Sequence, residues 1–579
     1  MYNHIKAQFR PGRADVCRVQ VMNKRRSIYL FLALFAFVLA AVSGCSPDFQ
    51  KADADKEVYK IINAKWRPDF GQKANYVISD SSIPAPNDVN VDKTSTPAEH
   101  LTLAEAVAIA TKYNRDYQTQ KEQLYLTALT LTGERYKYAL KWFGTIDYQY
   151  TKSGGAPGEK EITAQGGITN TLLLPDGIIA NSSLIIDWAR FLTGDPRTTL
   201  SSVLSGTVDI PLLGNGGGKV QWENLTQTER SVLYQIRTFN RFRQTFVVSI
   251  INDYYRVLQQ KDGVTNAKNN WNSSIEFRKQ AEMEAKTGRT PPFEVDQARQ
   301  RELAAYNGYV AAAQNYEQTL DLFKIRLTLP VNTVIELDQN ELKALQKLAT
   351  SEPAYTVDAA IETALLRRLD LANAADDIDD AARKAKLASE GLGPQLDLTA
   401  SANVNSAGNT DFSNLQFHKG RYAAGLSADL PFDRKNQRNT YRSALITLLQ
   451  SQRDYANTMD QVTLDVRQAY RQLQATAEQY VTQRKSLALA EERVKNMPLL
   501  LKSGRAVTRD MLDAQDSLLQ AQNDLTSALV GHTIAKLNFF RDVGILQVRP
   551  DGMWTQSETV SRKTTDEREQ ERQSYNNNL

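Results

Sequence analysis

Cysteine and histidine are nearly missing from this chain of 579 residues, which has two of the first and four of the second. His4, His100, His418 and His532 have no metal-ligand spacing, and His532 falls on an Ala/Leu seam where a packed ring is the ordinary reading. No Ser-His-Asp or Cys-His set can be built from residues so scattered, so the chain reads as a non-enzyme without a metal or other cofactor. Charge of one sign is lacking too. A net charge of +4 over this length, with no basic stripe interleaved with aromatics, leaves no nucleic-acid footprint. Beyond the N-terminus no apolar run reaches ~20 residues, which excludes a bundle of membrane-spanning helices. GNGGGKV, residues 214–220, fails as a phosphate loop, because Leu213 and Val220 stand where Gly and Ser or Thr are required. It reads as a link from strand to helix. What is present, 41% hydrophobic and 23% charged residues, is no disordered composition, and the length exceeds one ordinary core.

The two cysteines matter by position. Lys24, Arg25 and Arg26 form a positive segment, IYLFLALFAFVLAAV follows from Ile28 to Val42, and then come Ser43, Gly44 and Cys45. This pattern is a secretory signal peptide, with Met22 an alternative start that would remove Cys17. VSGC resembles a bacterial lipoprotein signal, in which Cys45 becomes the lipidated first residue of the mature chain. That resemblance implies a covalent lipid on Cys45. Ser46, where an Asp marks retention in the inner membrane, implies export to the outer membrane.

The rest of the chain is written twice. Thr102–Asp116 and Thr356–Asp370 share Thr, Ala, Ala and Asp at an offset of 254, and Asp209-Ile210-Pro211-Leu212 matches Asp429-Leu430-Pro431-Phe432 at 220. Val247, Tyr255 and Leu258 match Val462, Tyr470 and Leu473, and Gly288-Arg289 matches Gly504-Arg505. The falling offset leaves 34 extra residues in the first copy, between the first two landmarks.

Each copy opens on a helix, the first with the capping box Thr102-x-x-Glu105 and an expected end near Trp142. Polar, β-branched, Gly-punctuated runs follow and read as strands: residues 144–152, 167–174 and 177–188 in the first copy, 395–406 and 421–432 in the second. Then a very long helix is predicted over about 219–286 and again over about 436–502. Its apolar positions alternate steps of three and four, as in Val232, Ile236, Phe239, Phe246 and Ile250, which is a coiled-coil seam. Gly288 and Gly504 end these helices in the left-handed conformation, and the chain returns as an antiparallel partner. Both turns are expected at the same end.

With the phrases LTLAEAVAIA, DIPLLGNGGG, ADLPFDRKNQR and GRxxxxDMLDAQxxLLQAQNDL in this tandem order, the chain resembles the outer-membrane efflux protein family of TolC-type export ducts over about 101–546. The resemblance implies a mainly α fold with membrane β: a homotrimer whose protomers each give four strands to a 12-stranded outer-membrane barrel, continued by a periplasmic coiled-coil barrel. The domains expected are a signal peptide, 1–44; a lipid-anchored extension, 45–100; two efflux repeats, 101–350 and 351–546; and a polar, disordered tail, 547–579. The implied function is passive exit from an inner-membrane transporter of RND, ABC or MFS type, through a periplasmic adaptor, in tripartite efflux or type I secretion. Asp510 and Asp513 are implied to ring the periplasmic entrance as a gate, although acids in a first helical turn have a plain electrostatic use there. Gly288, Arg289, Gly504 and Arg505 are implied to be the tips that meet the adaptor, and Arg505 and Arg509 are close enough in sequence to pair with the two aspartates. The alternative is a periplasmic structural or adaptor lipoprotein without a pore. The two strand regions separate them, since an adaptor needs no such pair.

Overall fold

The fold was read from a computed structural model, which describes residues 46–73, 75–78, 100–152, 160–174, 176–192, 198–213, 219–288, 290–348, 356–407, 413–430, 432–549 and 554–556. Cys45, the signal segment and Arg289 lie outside these residues. The chain divides into two compact units at Ala64/Lys65. The described part of the first is the helix α1, Pro47–Lys65, whose last residue opens the second unit.

Its first helix is not continuous. The Thr102–Glu105 capping box forms, with Glu105 N donating to Thr102 Oγ1 and Thr102 N donating to Glu105 Oε2 at 3.0 Å. It opens α2, Leu103–Tyr113, which stops at Asn114. Asn114 then caps α3, Arg115–Lys137: its Oδ1 accepts from Tyr117 N, and its amide donates to Arg326 O at 2.8 Å. The second repeat breaks at the matching residue, Arg368, between α7, Val357–Arg367, and α8, Leu369–Glu390. The expected run to Trp142 is therefore overturned, because one side chain satisfies the groups that a continuous helix would have used. Trp142 lies on a strand.

Six strands form one antiparallel sheet in chain order: β1 Lys141–Lys152, β2 Lys160–Leu173, β3 Ile179–Phe191, β4 Thr198–Leu213, β5 Gln395–Asn405 and β6 Arg421–Asp429. The expected four strands per chain is thus corrected to six. Shifted by 254, Lys141 falls on Gln395, the first residue of β5; shifted by 220, β4 falls over β6. β1 and β4 are therefore the repeated pair, and the 34 extra residues are the β2–β3 hairpin.

The two long helices come out at equal length. α4, Lys219–Lys286, and α9, Lys435–Lys502, each have 68 residues, about 100 Å of rod. α5, Pro292–Arg326, returns along α4, and α10, Thr508–Val543, returns along α9. α4 also packs on α10, so the four lie in the order α5, α4, α10, α9. Short pieces complete the unit: α6, Asn340–Leu348, and the strands β7, Leu546–Val548, and β8, Trp554–Gln556, which pair with each other. β8 lies within 547–579, so those three residues are part of the fold rather than of a disordered tail.

The core sits where the repeats meet. Tyr117 of α3 packs against Phe239, Phe242 and Phe246 of α4, with ring centroids 5.1–5.8 Å apart. Burial pushes its phenol up to about 12, against the pull of Arg243. Nearer the start of α4, Arg230, 4% exposed, pairs with Asp380 of α8 at 2.6 Å and with Asp376 at 3.2 Å. Burial alone would lower the guanidinium; Asp380, Tyr234 and Asp376 outweigh it and hold the charge. This cluster joins the first repeat to the second.

Candidate functional site

The sheet has two chemically different faces, and the pairing register sorts them. Residues that pair as Cα partners point to the same side. One side carries Trp142, Ile146, Tyr148 and Tyr150 of β1; Ile162 and Ile168 of β2; and Leu184, Ile186 and Trp188 of β3. It continues with Leu200, Leu204 and Val208 of β4, Leu398 and Val404 of β5, and Tyr422 and Leu426 of β6. The other side carries Thr145, Asp147, Gln149, Thr163, Gln165, Ser183, Asp187, Ser205, Thr207, Thr399, Ser401 and Asn403. Ser183 and Ser205 hydrogen-bond to each other there at 2.6 Å.

The apolar side is open. Ile146 is 75% exposed and Tyr148 70%. Such a patch on one face of a sheet marks contact with lipid or protein. Among the described strand residues the charges on this face are Lys152, Lys160 and Arg190, all at the end away from the helices. Trp142 and Tyr150 sit eight residues apart on β1, about 27 Å along the strand, or about 21 Å of height at a tilt of about 40°. That is near the apolar band of an outer-membrane barrel, aromatic residues at both rims included. No helix among the described residues is long and apolar enough to cross a membrane.

Two edges have no strand partner among the described residues. β1 and β6 end the sheet, and both are exposed along nearly their whole length. The outer helices are similarly bare: α5 exposes Leu303, Leu322 and Ile325, and α9 exposes Ile446, Leu449 and Leu489.

Gly288, Gly504 and Arg505 lie at the two helical turns, and Arg289 lies outside the described residues. Gly288 and Gly504 have φ of 71° and 65°, and a Cβ at either would meet nothing within 4 Å, so their backbone angle alone requires glycine. Gly504 N donates to Leu501 O and Arg505 N to Leu500 O, which closes the second helix. The two tips touch. Thr508 Oγ1 of α10 donates to Glu294 Oε2 of α5. Phe277 of α4 packs both on Ala281, Val295 and Ala298 and on Met497, Met511 and Ala514. Asp510 is half-buried and accepts from Val507 N at 3.0 Å, which caps α10, while Asp513 is exposed. The expected closeness of Arg505 and Arg509 to these aspartates yields no ion pair among the described residues. Arg301 of α5 instead reaches Asp516 of α10.

His532 is buried and lies 3.4 Å from Thr476 Oγ1, a packed ring as its seam position implies. Among the described residues no group of His, Cys, Asp and Glu could hold a metal ion. Sequence reasoning missed β4, although TTLSSVLSGTVDI alternates as plainly as the named runs.

Residues 360–537 match the family profile for outer membrane efflux protein. The outer membrane protein TolC of Escherichia coli is 23% identical over 345 residues, 56% of this chain and 66% of TolC. TolC of Salmonella enteritidis aligns equally well, so the alignments span just under two thirds of these curated relatives. Among solved structures, the Campylobacter jejuni CmeC outer membrane channel gives a TM-score of 0.56 at 15% identity, covering 86% of this chain and 98% of CmeC. VceC from Vibrio cholerae gives 0.55 at 13%, covering 76% and 96%. At such identities the likeness is one of fold.

Proposed function

From a chain whose residues 360–537 belong to the outer membrane efflux protein family, we propose an outer-membrane exit duct made of three copies. The observation that carries this is the sorting of all six strands into one apolar and one polar face. Open sheet edges are not tolerated in lipid, and six strands are too few to enclose an aqueous channel. β6 of one copy must then meet β1 of the next. An even number of strands per copy keeps every junction antiparallel. The bare faces of α5 and α9 meet in the same way and continue the wall as a ring of helices.

The duct is passive. It accepts cargo from an inner-membrane transporter of RND, ABC or MFS type through a periplasmic adaptor that docks at the Gly288/Arg289 and Gly504/Arg505 tips. It opens when the helical ends part, and diffusion does the rest. No covalent step is assigned to any residue. Lipid on Cys45 adds an anchor, since each buried CH₂ contributes about 0.8 kcal/mol. Threefold symmetry turns Asp510 and Asp513 into two rings of carboxylates at the entrance, which favour cations.

The experiment is native mass measurement of the detergent-purified protein, followed by planar-bilayer recording. Trimers that conduct are expected; a lone subunit that leaves bilayers tight would end the proposal. Replacing Asp510 and Asp513 by Ala is expected to raise single-channel conductance or weaken cation preference. If neither changes, the acidic rings are wrong and the duct stands.

A further inference from the structure

The β2–β3 hairpin changes the size of the hole, an inference that rests on the trimeric duct proposed above. We propose that this chain builds an 18-stranded barrel, half again as wide as the 12-stranded wall that its resemblance implies, and that it passes bulky hydrated cargo about 2 nm across.

The hairpin belongs to the wall. It is not a plug or an external fin. β2 pairs with β1 over twelve residues and β3 pairs with β4 over twelve, without a register shift in either ladder. Its alternation matches that of its neighbours: Ile162, Ile168, Leu184, Ile186 and Trp188 lie on the apolar side, and Thr163, Gln165, Ser183 and Asp187 on the polar side. A plug would have lost the apolar face, since both its sides meet water. A fin outside the wall would have left β1 and β4 paired with each other, and they are not neighbours.

Width follows from strand count. Strands spaced about 4.8 Å apart and tilted by about 40° each take about 6.3 Å of circumference. Twelve give a backbone circle about 24 Å across, and eighteen about 36 Å. A side-chain layer of about 5 Å on each wall leaves bores of about 14 and 26 Å. The helical ring offers an independent check. Four helices per copy adjoin the sheet, α3, α4, α8 and α9, which makes twelve in a trimer, and at 8–10 Å between axes their circumference is about 96–120 Å. Eighteen strands need about 113 Å and twelve only about 75 Å. The wider wall sits on the helical ring without a constriction at the junction.

The lining fits such cargo. The polar face is hydroxyl- and amide-rich, with Asp147, Asp187, Asp209 and Asp397 against few cations, so it stays hydrated and mildly favours cationic solutes.

Thr169 and Thr207 lie on the polar face near the helical end of the sheet, so a reagent from outside must cross most of the barrel to reach them. Thr169→Cys and, separately, Thr207→Cys are to be expressed in the full-length protein. Whole cells are then treated with maleimide-tagged polyethylene glycols of graded size, and the gel shift is read. This readout needs no open periplasmic tip. Tags between about 14 and 26 Å in diameter are expected to react at both positions. A second variant lacking residues 158–191 is expected to exclude that window of sizes while still admitting a small maleimide. If only tags under about 14 Å label the unshortened wall, the wide barrel is wrong and the narrow duct survives. If even the small maleimide fails at both cysteines in an exported protein, the lumen itself is absent and the duct falls with it. Ile168→Cys, on the apolar face, should stay unlabelled by every tag. Should the shortened chain fail to assemble, the size cutoff of the unshortened wall decides alone.

Discussion

The first helical hairpin is tied by charge and the second is not. Arg278 of α4 reaches Glu282 on its own helix and Glu302 on α5, and Arg299 of α5 reaches back to Glu282 at 3.1 Å. Between α9 and α10 no ion pair forms among the described residues. There the tip is held by Met497, Met511 and Ala514, and further along by the Thr476–His532 contact. Directional ion pairs fix a register, whereas apolar contacts among small and flexible side chains tolerate sliding. Two copies of one ancestral phrase have thus divided the labour. The first is the frame, with α4 buried against α3, α5, α8 and α10; the second is the more adjustable member.

Four measurements can break or sharpen that contrast. The largest effect is expected where the frame is bolted to the second repeat. Arg230→Met strips Asp380, itself 5% exposed, of its buried partner, leaves the more exposed Arg383 at 2.8 Å as its remaining cation, and should cost about 3 kcal/mol. The readout is the apparent melting temperature in detergent, and Arg230→Met with Asp380→Leu should recover much of the loss. A small drop in the single variant would mean that the repeats are held together elsewhere.

Phe277→Ala comes next. It removes the one ring that packs in both tip clusters and should cost about 2–3 kcal/mol. Amide exchange is expected to quicken at both tips, and more at the second. Equal quickening would undo the contrast between frame and adjustable member.

The turns should behave alike. Gly288→Ala and Gly504→Ala are each expected to cost about 1 kcal/mol, from backbone strain without a clash. Gly544→Ala should cost more, because its Cβ would lie 3.2 Å from Arg367 Cβ on top of a φ of 80°. If Gly504 proves costlier than Gly288, the second tip is not the looser one.

The smallest effect concerns a buried cation in the frame. Lys121 lies against the Tyr117 ring, 5.1 Å from its centroid, and burial pulls its amine down to about 8. The folded state therefore releases this proton at lower pH than the unfolded state. Stability should rise as pH climbs from about 8 toward 10.5. Lys121→Met should flatten that rise and add up to about 1 kcal/mol at neutral pH. A pH profile identical to that of the unaltered protein would remove Lys121 from the account.

Much of this was legible beforehand, for reasons that are physical. The long helices announced themselves because a three-and-four seam sustained over 68 residues has no other home, and the ends at Gly288 and Gly504 because only glycine takes that angle cheaply. β4 escaped because its alternating run passes without a break into Pro211 and the glycines after Leu213, which read as a link from strand to helix. The breaks at Asn114 and Arg368 escaped because neither proline nor glycine marks them; the Asn114 amide finds Arg326 O 212 positions away, which no local pattern reports. At the second turn, Asp510 could be read as a helix cap and is one, accepting from Val507 N through one carboxylate oxygen.

The two stalk helices kept the same length while the sheet between them gained a hairpin. In the proposed duct, strands added to the wall widen it and leave the depth at which the helical ends hang unchanged. The bore and the reach of the proposed duct are thereby set by separate stretches of one chain.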